Sequence, residues 1–66
     1  MERQIFIHLL EKSELSQKEF AAKIGFAESR VSEWLRGVRN PKMSNLRKMA
    51  EILGFEIITS FEVRKL

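Results

Sequence analysis

The residues from Leu15 to Pro41 constrain the fold more than any other part of the chain, because they predict two short helices joined by a tight turn. Ser16-Gln17-Lys18-Glu19 has the spacing of a capping box, in which the Ser hydroxyl and the Glu carboxylate each accept from an orphan backbone amide. The apolar side chains that follow share one helix face: Phe20, Ala21 and Ile24. Gly25 can adopt the positive φ of a sharp reversal, so the first helix should end there.

A second helix, over about residues 27 to 36, is amphipathic. Its apolar stripe has the helical spacing of a core-facing surface and consists of Val31, Trp34, Leu35 and Val38. The opposite face is polar and consists of Ser29, Glu33 and Arg36, flanked by Arg30 and Ser32. Because the two faces lie on opposite sides of one helix, the polar face should point to solvent. A face of this composition suits DNA groove edges and phosphates.

From about Leu9 to Phe55, the chain resembles the Cro and phage-repressor type of helix-turn-helix, the xenobiotic response element family. The spacing of several short elements carries the resemblance: Leu15-Ser16-Gln17, Phe20-Ala21, Ile24-Gly25-Phe26, Val31-Ser32-Glu33-Trp34, Arg36-Gly37, Arg39-Asn40-Pro41 and Leu46 through Leu53-Gly54. The resemblance implies that the first helix of the motif abuts the phosphate backbone and the second enters the major groove.

Carried over by position, the resemblance assigns two sets of DNA contacts. The base-reading set is Glu28, Ser29 and Glu33. The backbone set is Gln17, Arg30, Ser32, Arg36, Arg39 and Lys42. A Glu can accept from the cytosine amino group and a Ser can pair with several bases. Two alternatives stay open: Gln17 could simply be solvated, and Glu33 could brace Arg30 and Arg36 on the helix surface.

Two positions depart from the family pattern. Ala27 stands where a capping Ser or Thr is usual, which weakens the start of the second helix. Leu35 stands where an acidic residue is common, which indicates additional apolar packing.

Charge supports a nucleic-acid partner. The net charge is only +3, but residues 30 to 48 carry six basic side chains against one acidic side chain, a sum of +5. The segments on either side each sum to −1. Positive charge is therefore concentrated in and after the second helix of the motif, although a solvated surface would have the same composition.

Other classes of function have little support in the sequence. The chain has no Cys, and His8 is its single histidine, so neither a thiolate metal site nor a catalytic triad is predicted. We expect no cofactor, no metal and no enzymatic activity. The absence of a signal-like or membrane-spanning apolar run favours a cytoplasmic protein that does not enter a membrane.

Two further helices should complete the domain. Residues 2 to about 12 carry the stripe Ile5, Phe6, Leu9 and Leu10. A second stripe, on a helix of about Ser44 to Leu53, consists of Met43, Leu46, Met49, Ala50 and Leu53. The predicted fold is mostly α, a lambda-repressor-like bundle of about four helices with a C-terminal β-strand. Residues 1–54 should form the DNA-binding domain and residues 55–66 a dimerisation element.

The tail is predicted as one strand because apolar and polar residues alternate along it. Its apolar face contains Phe55, Ile57, Phe61 and Val63. A lone strand needs a partner, and no second strand is evident, so we expect an antiparallel ribbon with the same strand of a second protomer. The alternative is pairing with a stretch such as Ile5 to Ile7 within the chain.

Together these features predict a sequence-specific regulator, a homodimeric repressor that binds double-stranded DNA at a palindromic operator. The alternative is the antitoxin of a toxin–antitoxin pair, which would bind a protein toxin and repress its own operon. An exposed β edge favours the alternative, since another protein can extend it.

Overall fold

The computed structural model describes residues 2–59 and 62–66. Within this part of the chain four helices precede two strands, which confirms the mostly α bundle. The helices are α1 (Glu2–Ser13), α2 (Gln17–Ile24), α3 (Glu28–Arg36) and α4 (Met43–Leu53). The strands are β1 (Phe55–Thr59) and β2 (Glu62–Lys65).

The predicted capping box is present at the start of α2. The Ser16 amide donates to Glu19 Oε1 at 2.9 Å, and the Glu19 amide donates to Ser16 Oγ at 3.1 Å. The helix ends at Gly25, whose φ of 81° is the left-handed value that the turn requires. These three residues confirm the predicted bounds of the first helix of the motif.

One core connects all the elements. Its buried apolar side chains are Ile5, Phe6, Leu9, Phe20, Ala21, Ile24, Val31, Trp34, Leu46, Met49, Ala50, Phe55 and Val63. Edge-to-face aromatic contacts join three helices at its centre, with ring centroids 5.6 Å apart for Phe6–Phe20 and 5.4 Å apart for Phe6–Trp34. The position of α3 therefore depends on α1 as well as on α2.

The prediction of a single C-terminal strand is wrong. In the described part of the tail, β1 pairs antiparallel with β2, with Phe55 opposite Lys65 and Ile57 opposite Val63. The period-two pattern continues across both strands and therefore does not reveal the reversal between them. The alternative partner, Ile5 to Ile7, is also wrong because these residues lie within α1.

The apolar face of the tail belongs largely to the core of its own chain. Phe55 and Val63 are buried, and Ile57 packs against the core cluster. The fourth predicted dimerisation residue, Phe61, lies outside the described residues. Strand β1 contacts α1 and α4 and strand β2 contacts α1, so both strands share the core of the helical domain.

Val38 also differs from the expectation. The helical spacing placed it on the buried stripe of α3, but it is 66% exposed. The helix ends at Arg36, and Gly37 takes a left-handed conformation with φ 76°, so the chain reverses before Val38.

Candidate nucleic-acid interface

The aromatic side chains of the two-helix unit fix the inner face of α3. Val31 and Trp34 are buried, and Leu35 is partly buried against the core. Phe26, in the turn between α2 and α3, stacks edge-to-face on Trp34 with centroids 5.1 Å apart. Because Trp34 contacts both this turn and Phe6 of α1, the rotation of α3 about its axis is well defined. The polar side of α3 is thereby held outward.

The predicted base-reading residues lie on that outward side. Glu28 and Ser29 are exposed in the first turn of α3, and Glu33 is partly exposed one turn later. Ala27 is the N-cap and makes no side-chain hydrogen bond to the helix, as the departure from the family pattern predicted. The first turn of α3 therefore presents backbone amides together with the Glu28 carboxylate and the Ser29 hydroxyl, a polar surface that can approach a groove.

Glu33 contacts a different arginine from the two that sequence spacing suggested. Its Oε1 lies 3.7 Å from Arg39 Nε, three residues beyond the end of the helix. The turn makes this contact possible, because the amide of Val38 donates to the Glu33 carbonyl at 3.0 Å and brings the following residue back toward the helix. With the Arg39 side chain 61% exposed, the ion pair is too solvated to contribute much to stability. In the structure it places the Arg39 guanidinium beside Glu33 on the outward surface.

Exposed cations surround the polar face. The side chains of Arg30, Arg36, Arg39 and Lys42 are all exposed. The other two predicted backbone-contacting residues, Gln17 and Ser32, are partly buried. Gln17 is the first residue of α2, where free amides favour an anion.

The basic side chains between residues 30 and 48 do not all lie beside the polar face of α3. Arg47 of α4 lines a groove between α1, α4 and β1, together with Glu2 and Glu51. This groove has a volume of about 610 Å³ and a mainly apolar lining that includes Ile5, Met43, Ile58 and Leu66. The positive charge of Arg47 is therefore directed to a groove whose rim also carries acidic groups.

Sequence reasoning missed one residue of this region, Arg3. Its Nη2 donates to the carbonyl of Leu35, at the end of α3, at 2.6 Å. The two residues are 32 positions apart in the chain, and neither helical periodicity nor a local motif relates them. Only the packing of α1 across α3 brings them together.

A helix-turn-helix family model matches residues 8–58, which is most of the chain. The chain belongs to this family, of the Cro and C1 repressor type. It is thus a DNA-binding helix-turn-helix protein of a family that regulates transcription. Comparisons with curated proteins and with solved structures gave no significant match.

The described residues contain neither a metal-ligand cluster nor a helix that could span a membrane. Residues 2–59 and 62–66 contain no group of three or more His, Cys, Asp or Glu side chains arranged to hold a metal ion. Across the same residues, no helix is both long and apolar enough to span a membrane.

Proposed function

We propose that the protein is a sequence-specific transcriptional repressor whose α3 enters the major groove of duplex DNA. The observation that carries the proposal is the outward polar face of α3, held by the burial of Val31 and Trp34 on its other side. Base edges contact Glu28, Ser29 and Glu33. Phosphates contact Gln17 and the amino-terminal amides of α2 on one side of the groove, and the exposed cations near the end of α3 on the other.

The cations should contribute affinity without sequence information. Each phosphate contact adds about 0.9 to the slope of log K against log salt concentration. Replacing Arg36 and Arg39 by Ala should therefore weaken binding to every duplex and flatten the salt dependence. Arg64→Ala is the matched control, because Arg64 is an exposed arginine on β2, outside the helix-turn-helix, that pairs with Glu56. Equal affinity and slope for wild type and the Arg36/Arg39 double variant would reject the assignment.

Base reading is tested by selecting bound sequences from random duplex DNA. If Glu33 reads a base, Glu33→Gln should change the selected consensus at one position per half-site, at a cost of about 1–3 kcal/mol on the original base pair. If Glu33 serves only to orient Arg39, both Glu33→Gln and Arg39→Ala should lower affinity and leave the consensus unchanged. A changed consensus for Glu33→Gln but not for Arg39→Ala would support the base contact.

We further propose that the repressor binds a palindromic operator as a homodimer. Two exposed large apolar side chains support this proposal, because Ile58 and Leu66 both line the groove beside β1. Clustered exposed apolar groups of this kind are typical of an interaction surface. This groove is also lined by Phe55 and Ile57 of the face that periodicity predicted, whereas Val63 is buried in the core of its own chain.

Sedimentation at micromolar concentration tests the dimer. The wild-type chain should sediment as a dimer, and Ile58→Lys as a folded monomer that binds half-sites weakly, because the second half-site loses its effective concentration. Ala22→Lys, which adds the same charge at an exposed position in the interior of α2, is the control for altered net charge. A wild-type monomer that copurifies from its native host with a stoichiometric second protein would instead favour the antitoxin function, with the same apolar surface bound to a toxin.

A further inference from the structure

Arg3 covers the carboxyl end of α3. Besides its hydrogen bond to the Leu35 carbonyl, its side chain lies against Gly37, where an added Cβ would meet Arg3 Nε at 3.3 Å and Cδ at 3.6 Å. Three residues later in α1, Phe6 packs on Trp34. One face of α1 thus holds the last turn of α3 by a ring contact and a guanidinium contact.

The contact completes the carboxyl-terminal cap of α3. The last carbonyls of a helix have no partner within the helix and carry the negative end of its dipole. Amides of the following turn satisfy two of them, since Gly37 donates to Trp34 O at 3.2 Å and Val38 donates to Glu33 O at 3.0 Å. The Leu35 carbonyl receives its hydrogen bond from Arg3, whose positive charge is also favourable at this end of the helix.

We propose that Arg3 is a positioning residue for DNA binding. It fixes the turn after α3 and, through that turn, the directions of Arg36 and Arg39. Arg36 is the last residue of the helix whose carboxyl end Arg3 covers. Arg39 follows two residues after Gly37, and its amide donates to the Glu33 carbonyl at 3.4 Å. This inference rests on the proposed function for its effect on DNA, whereas the effect of Arg3 on the turn is measurable without DNA.

An exposed arginine beside these cations could instead contact a phosphate directly, and a double-mutant cycle separates the two roles. Positioning predicts that Arg3→Ala weakens duplex binding by about fivefold, as expected for one charge-assisted hydrogen bond in a solvated setting. In the Arg36→Ala, Arg39→Ala background the same substitution should then have no effect on affinity or on salt slope. A further loss of about 0.9 in slope in that background would overturn the proposal in favour of a phosphate contact.

Arg3→Lys sharpens the distinction. Lysine keeps the charge but lacks the planar guanidinium, which can donate to Leu35 O while lying flat against Gly37. Positioning therefore predicts that Lys restores little of the lost affinity. Full restoration by Lys would overturn the proposal.

Hydrogen exchange of the free protein tests the turn itself. Arg3→Ala should accelerate exchange of the Val38 and Arg39 amides, both of which donate to the Glu33 carbonyl, and leave the Phe26 amide in the preceding turn unchanged. Unchanged exchange at Val38 and Arg39 would overturn the inference whatever the DNA result. If Arg3→Ala accelerates exchange at Val38 and Arg39 but the wild-type protein binds no duplex, the proposed function is rejected, and the role of Arg3 in the cap of α3 stands.

Gly37→Ala and Gly54→Ala provide a matched pair for the same test. Both glycines have left-handed φ values, 76° and 79°, so Ala is strained at either position. Only at Gly37 would the new Cβ meet Arg3, because nothing lies within 4 Å of a Cβ at Gly54. Both variants should lose stability, but Gly37→Ala should lose more because the contact with Arg3 adds to the strain, and only Gly37→Ala should accelerate Val38 exchange and weaken DNA binding. Equal effects of the two variants on both readouts would overturn the proposal.

Discussion

The two helices of the motif both pack on the core, but their amino termini are closed in different ways. The start of α2 is closed by its own neighbours, Ser16 and Glu19, which exchange hydrogen bonds three residues apart. The start of α3 has no side-chain cap, and Ala27 occupies the capping position. Instead α3 is held by residues from elsewhere, including Phe6, Phe26 and Arg3.

This difference suits the proposed roles of the two helices, α2 at the phosphate backbone and α3 in the major groove. An uncapped first turn leaves the amides of α3 available at the end that would enter the groove. The helix then depends on tertiary packing, because nine residues are too few for a stable isolated helix. Helix α2 has eight residues and also packs on the core through Phe20 and Ile24, but its capping box adds a local hydrogen bond to the Glu19 amide that α3 lacks.

The largest expected effect comes from removing the packing that holds α3. Trp34 is 1% exposed and contacts Phe6 and Phe26, so Trp34→Ala should destabilise the protein by about 3–5 kcal/mol. That loss is a large part of the total stability of a small domain, and the variant should be mostly unfolded in urea concentrations that the wild type tolerates. Urea unfolding followed by circular dichroism measures it.

Ile52→Ala is the control for loss of apolar volume, because Ile52 is 49% exposed. Its effect on the unfolding free energy of the monomer should stay within about 0.5 kcal/mol. A Trp34→Ala variant as stable as Ile52→Ala would show that local preferences, rather than tertiary contacts, maintain α3.

Adding the missing cap should make the two helices more alike. Ala27→Ser gives α3 a hydroxyl at a position with extended backbone, φ −65° and ψ 143°, and should raise the unfolding free energy by about 1 kcal/mol. Ala22→Ser is the control, since Ala22 is exposed in the interior of α2, where Ser is a weaker helix former than Ala and should slightly lower stability. Thermal unfolding of both variants checks the opposite signs. A loss of stability in Ala27→Ser would contradict the assignment of Ala27 as the N-cap.

The contrast between local and tertiary contacts also explains which features could be predicted from sequence. The capping box, the turn at Gly25 and the buried stripe of Val31 and Trp34 follow from residues within one helical turn of each other, and the structure confirms them. The Arg3 contact depends on how α1 crosses α3, which local spacing does not encode. The partner of Glu33 was mispredicted for a related reason, because helical spacing cannot anticipate a turn that brings Arg39 back.

The tail shows the same limit in a strand. Alternation correctly identified extended structure, but it is identical for one long strand and for two paired strands with a reversal between them. Pairing of Phe55 with Lys65 in one chain buries Phe55 and Val63 without a second protomer. The base-reading and phosphate-contacting roles rest on family resemblance and surface exposure, and they stay predictions until DNA binding is measured.

The smallest expected effect concerns the pH dependence of the cap on α2. The Ser16 amide, with a smaller contribution from the Ser16 side chain, holds the pKa of Glu19 below its ordinary value of 4.5. A carboxyl group whose pKa is lower in the folded state stabilises the fold above its unfolded pKa, and this contribution is lost as pH falls through the folded pKa. Wild type should therefore lose stability relative to Glu19→Gln as pH falls below about 4.5.

Glutamine at position 19 is a suitable reference because it can still accept from the Ser16 amide but does not titrate. Ser16→Ala separates the two contributions, since it removes the hydroxyl and keeps the backbone amide, which is the larger cause of the pKa shift. This variant should lose stability at every pH and yet retain most of the pH dependence. Thermal unfolding from pH 7 to pH 3 measures all three proteins. Parallel curves for wild type and Glu19→Gln would show that Glu19 contributes its hydrogen bond to the cap without any contribution from its charge.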